Sequence, residues 1–84
     1  LSGDAEVAEV TVDPGAPIAE TTLQRAVGQE VLDDDALVIA IERDDVVLTP
    51  HGDTEIRADD IVTVFSRDGI DDAMLEAFRD AERA

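Results

Sequence analysis

Carboxylates dominate the groups in this chain that could do chemistry. Asp33-Asp34-Asp35 and Asp44-Asp45 are tight runs, and oxygen ligands of this kind suit Mg²⁺ or Ca²⁺. A calcium loop needs alternating ligands, a central glycine and a terminal glutamate, whereas Asp35 leads at once into the apolar stretch 36–41. A solvated acidic loop is the simpler reading of each run. The competing reading is an acidic cation-binding module that uses both. Covalent catalysis has fewer resources. A nucleophile needs a base and a group to orient that base. The chain has no cysteine and one histidine, His51, in a Pro-His-Gly-Asp turn; its serines are Ser2 and Ser66, and no Gly-x-Ser-x-Gly elbow occurs. No catalytic or metal-ligating residue is assigned, and the expectation is a protein that is not an enzyme. Gly3, Gly15, Gly28, Gly52 and Gly69 never form G-x-G, so dinucleotide binding in the Rossmann manner is not expected. Phe65 and Phe78 are the only aromatics, too few for base stacking. Both are read as core, as is Met74.

Charge narrows the partners. Twenty-two Asp and Glu face six basic residues, all arginine, for a net charge of −16. Such a surface repels nucleic acid and anionic lipid. High net charge also marks disordered chains, but 44% of residues are hydrophobic and fall in ordered runs, so a folded core is expected. Dense carboxylates whose repulsion is screened by salt fit a halophilic, haloarchaeal source. The chain begins at Leu1 without a basic or apolar leader, and its longest apolar run, 36–41, is far short of the ~20 residues of a membrane span. No direct membrane insertion is expected.

The elements that must position these groups follow from periodicity. Residues 6–12 alternate, with Ala8, Val10 and Val12 on one face. Asp13-Pro14-Gly15-Ala16-Pro17 breaks that strand. Residues 22–27 fit a short helix through Leu23, Ala26 and Val27, with Gly28 placed to end it. Ala36–Arg43 is apolar and β-branched, which predicts a central strand covered on both faces. Asp44-Asp45 is placed to close a two-residue hairpin into 46–49. Strands are expected at 54–57 and 61–66. Ile70, Ala73, Met74, Ala77, Phe78 and Ala81 then trace one face of an amphipathic helix over 70–81, with Asp68 as N-cap. The expected class is α+β: a small β-α-β-β-β-β-α domain over 5–81 with an antiparallel-rich sheet and a C-terminal amphipathic helix. Residues 1–4 and 82–84 read as frayed ends of a fragment cut from a longer chain. A core this small gains from oligomerisation, and the apolar helix face offers Ile70, Met74 and Phe78 as dimer-interface candidates.

Val10-Thr11-Val12, then Pro14-Gly15-Ala16-Pro17-Ile18 and Thr22-Leu23, open an ordered series of short motifs. Leu37-Val-Ile-Ala-Ile-Glu-Arg43, Val47-Leu-Thr-Pro50, Gly52-Asp53-Thr54 and Ala58-Asp-Asp60-Ile-Val-Thr-Val-Phe65 complete it. Together the series resembles the TrkA-C (RCK-C) family over about two-thirds of the chain. The resemblance implies a cytoplasmic regulatory domain that forms homodimers and serves a membrane transporter or channel subunit, typically in potassium transport. It also implies a ligand groove in the strand and loop region, here Pro17, Ile18, Arg25, Ile41, Arg43, Pro50 and His51. Some members bind cyclic di-AMP at the dimer cleft. Two departures stand out. Asp59 occupies a turn position that is usually glycine in the family. Gln29-Glu30 stands where cyclic di-AMP-binding members tend to carry arginine, and an acidic rim opposes a dianion. No cofactor is therefore expected.

Overall fold

Two interior strands organise the domain. In the computed structural model, which describes residues 5–80, a four-stranded antiparallel sheet runs in the order β1-β6-β3-β4. Its strands are β1 (Glu6–Thr11), β6 (Ile61–Ser66), β3 (Ala36–Arg43) and β4 (Val46–Leu48). A second layer on one face holds helix α1 (Leu23–Gly28), helix α2 (Asp72–Leu75) and a two-stranded ribbon of β2 (Thr21–Thr22) and β5 (Glu55–Ile56). The class is α+β, as the sequence pattern predicts, with β2 as an unforeseen addition. The expected fraying at 1–4 and 82–84, and the expected helix position of Ala81, lie outside the described residues.

Strand alternation decides what faces the core. On β6, Val62, Val64 and Ser66 point inward and are buried, while Ile61, Thr63 and Phe65 point outward and are half-buried. β3 needs a correction of phase to match. Val38 opposes Val64 and Ala40 opposes Thr63, so a β-bulge sits at Ile39. The extra residue puts both Val38 and Ile41 on the inner face, which strict alternation forbids. Ile41 is fully buried, and it joins Val12, Ile18, Ala26, Ile56 and Phe78 in a single core cluster.

Turns are closed by an unusual choice of residue. Asp44 and Asp45 both have positive φ, at 53° and 66°, as a type I′ hairpin requires. Asp59 takes φ 72°, so aspartate adopts a left-handed turn conformation there. Glu20 and Glu30 are also left-handed. Glu30, not Gly28, is the residue that ends α1. Its N–H donates to Val27 O at 3.1 Å and that of Val31 to Ala26 O at 2.9 Å, the paired bonds of a Schellman motif. Gly15 has φ 87°, and a Cβ there would stand 3.0 Å from Asp80 Oδ2.

The C-terminal helix is shorter than its periodicity predicts. α2 starts at Asp71, whose Oδ1 accepts from Met74 N at 2.9 Å, and not at Asp68. It tightens into a 3-10 turn over Glu76–Phe78 and becomes extended at Arg79. Tertiary bonds stop it. Ala77 O accepts from Ile18 N at 3.0 Å, and Phe78 O accepts from Asp13 N at 2.9 Å. Those carbonyls would otherwise serve residues 81 and 82 of a continuing helix. The loop after β1 thus clamps the segment that buries Phe78.

Candidate functional site

The outer face of the sheet is the part of the fold most in need of a partner. The cross-strand row Val7–Phe65–Leu37 spans β1, β6 and β3, and Val47 on β4 continues the face beyond Glu42. Exposure reaches 52% at Val7, 59% at Leu37, 47% at Ile39 and 69% at Val47. Among the described residues no helix or strand covers this face. The expectation that Ala36–Arg43 is covered on both sides is therefore corrected: the short helices occupy one side only. Phe65 moves with it from the expected core to the open face, whereas Phe78 is fully buried. Glu9 and Glu42 are the charged side chains on these outward positions, and no arginine shares them. Singly exposed apolar residues are ordinary, but a contiguous row rimmed by polar groups marks an interaction surface.

The residues singled out from sequence fall in different places. Of the interface candidates, Phe78 is fully buried, Met74 packs against the core and Ile70 is half-buried. Of the groove candidates, Ile18 and Ile41 are wholly within the core. Pro17, Arg25 and His51 are exposed and Pro50 is half-buried. Arg25 and His51 stand on adjoining segments, since Gln24 N donates to Gly52 O at 2.8 Å. The His51 turn closes on itself through His51 N to Thr54 Oγ1, at 2.8 Å.

Arg43 is held by the protein itself. Its Nε and Nη2 donate to the two carboxylate oxygens of Asp60 at 2.8 and 2.7 Å, and Nη2 also reaches Glu55 O at 2.9 Å. Asp60 is buried and accepts a further bond from Arg57 N at 2.9 Å. Burial alone would raise the Asp60 pKa, but the Arg43 fork and the Arg57 N–H outweigh it and hold the carboxyl below its ordinary value. The same fork raises the Arg43 pKa against its own desolvation. This clasp ties the end of β3 to β5 and to the turn before β6.

The aspartate runs do not converge. Asp33, Asp34 and Asp35 precede β3 and Asp44 and Asp45 follow it, so the eight-residue strand separates them by roughly 26 Å. Asp33 Oδ1 accepts from Asp35 N at 2.9 Å, and Arg67 pairs with Asp35 at 2.9 Å. Among the described residues, no group of three or more His, Cys, Asp or Glu is placed to hold a metal ion. The Asp68 pKa is raised, chiefly through its hydrogen bond and charge repulsion with Asp35.

Two depressions lie on the described surface. One of about 490 Å³ lies between the end of α1 and α2, with Val31, Leu32 and Met74 on its floor and Glu30, Asp33, Asp34 and Asp71 around it. It contains no basic side chain and opposes anions. The other, about 330 Å³, is lined by Thr22, Gln24, Arg25, Gly28 and Gln29. No helix among the described residues is long and apolar enough to cross a membrane.

The sequence carried a signal for the open face that alternation alone did not use. β3 and β6 are apolar at both inward and outward positions, and Val7 interrupts the polar outward positions of β1. No curated protein matches the chain. The family model described as the TrkA-C domain matches residues 7–78, from β1 to the buried Phe78.

Proposed function

The chain belongs to the TrkA-C domain family, and we propose that it is a cytoplasmic regulatory domain of a potassium-transport protein whose copies pair through the open sheet face. The family supports regulation of ion transport. The observation that carries the pairing is the bare row Val7–Phe65–Leu37 with Ile39 and Val47. A soluble surface this apolar is stabilised when covered. Pairing the same apolar row on both copies about a two-fold axis would form the isologous interface of a homodimer.

Regulation then follows from geometry. Two paired sheets have more than one relative orientation, and a transport subunit attached to each copy responds to which one prevails. A ligand biases that choice only through its different affinity for the two arrangements. The exposed Arg25, His51 and Pro17, with the half-buried Pro50, are the residues that such a ligand would contact. Arg43 acts from behind by holding β3 and β5 together. The carboxylates around the depression of about 490 Å³ disfavour cyclic di-AMP there, and the depression lined by Arg25 suits an anion better.

Sedimentation equilibrium of the chain in molar KCl tests the pairing. A dimer at micromolar concentration is expected, and Leu37→Glu is expected to convert it to monomer without loss of secondary structure. A wild-type monomer at 100 µM would remove the pairing from the proposal.

A further inference from the structure

We infer that pairing through the open sheet face is controlled by ionic strength, so that the domain associates when salt is high and separates when it is low. The inference rests on the pairing proposed above and concerns what regulates it. Two facts set it up. The face is small: four strands of up to eight residues, at the usual strand spacing and rise, present about 400 Å². A standard interface contributes about 800 Å² from each partner. The apolar attraction is therefore modest, and an opposing force of ordinary size decides the outcome.

That force is charge. Each copy carries −16 in a body whose shortest dimension is 24 Å. Pairing brings two such bodies into contact, and the outward positions of the face offer Glu9 and Glu42 but no arginine to neutralise a facing carboxylate. The screening length is about 10 Å at 0.1 M salt and about 3 Å at 1 M. At the lower salt, carboxylates on both bodies repel across the whole contact region. At the higher salt, only those within a few ångströms do. Apolar contacts are not screened, so the part of the salt response that is due to screening comes from the carboxylates on and around the face.

The test is the dimer dissociation constant measured by sedimentation from 0.1 to 2 M KCl. We expect it to tighten at least about 100-fold between 0.1 and 1 M, with circular dichroism unchanged. High salt also strengthens apolar contacts directly, so a second variant separates the causes. Asp34, Asp44, Asp45 and Asp53 are exposed and lie off the sheet face. Changing all of them to Asn removes about half of the repulsion, because repulsion scales with the square of the charge. The association curve of that variant is expected to move to lower salt. A salt-independent dimer would overturn the inference and leave the pairing intact. A salt response identical in the Asn variant would overturn it too, and so would loss of the folded spectrum at 0.1 M. A chain monomeric at every salt, or a dimer untouched by Leu37→Glu, would overturn both the inference and the pairing.

Discussion

At the scale of single residues, the Arg43–Asp60 pair is the most consequential contact. Asp60 is buried, so removing its partner strands a charge rather than merely deleting an ion pair. Arg43→Ala is expected to lower unfolding free energy by about 3 kcal/mol in urea titration. Arg43→Lys should recover only part of that, because a lysine lacks the planar fork. The pair also sets an acid limit. A carboxyl with a depressed folded pKa stabilises fully above its unfolded value of about 3.9. That contribution disappears as pH falls through the folded value. Below about pH 4 the wild type should therefore lose stability more steeply than Arg43→Ala, as read by thermal melts at matched ionic strength. The left-handed residues offer the opposite experiment. Glu30 holds a position where a Cβ is costly. Glu30→Gly should stabilise the domain by about 1 kcal/mol, seen as a higher midpoint in the same titration. The Asp44-Asp45 hairpin is legible from its two-residue spacing and the Asp59 turn from the family resemblance, and aspartate tolerates the positive φ that both need. Glu20 and Glu30 are not legible, because glutamate gives no such sign.

At the scale of elements, what was legible was local and what was not was tertiary. β1, α1, β3, β4 and β6 follow from periodicity and turn chemistry within their own segments. The length of the last helix does not. Residues 70–81 carry a helical apolar face, yet the chain leaves the helix after Phe78 because the N–H groups of Asp13 and Ile18 take its carbonyls. Those donors are some sixty residues away in sequence. The bulge at Ile39 is equally invisible, since it appears only when β3 is laid against β6. For the site, the same limit applied. An apolar run on β3 has one composition whether it is sandwiched or half open, and only the placement of both helices on one side distinguishes the two. Ile18 and Ile41 enter the groove only through the family resemblance, and both are core residues: Ile41 on the inward side of β3 and Ile18 in the turn after β1.

At the scale of the whole molecule, the fold separates its two kinds of surface. Carboxylates crowd the loops, turns and helices, and the sheet face keeps few of them. On the pairing proposed above, a domain so divided would respond to its solvent, since the apolar face favours association and the surrounding carboxylates oppose it. The β1–β6 ladder has a further consequence, in time rather than in energy. Six residues at the start of the domain pair with six that lie 50 to 60 positions later, while the β3–β4 hairpin closes through two residues. Contacts of long sequence separation must bear the loop-closure entropy before they stabilise anything. The hairpin should therefore form early and β1 dock last. Stopped-flow refolding is expected to show Asp45→Gly accelerating folding, with Val10→Ala acting mainly on the unfolding rate. A β1 substitution that slowed refolding as much as it destabilised the native state would reverse that order of events.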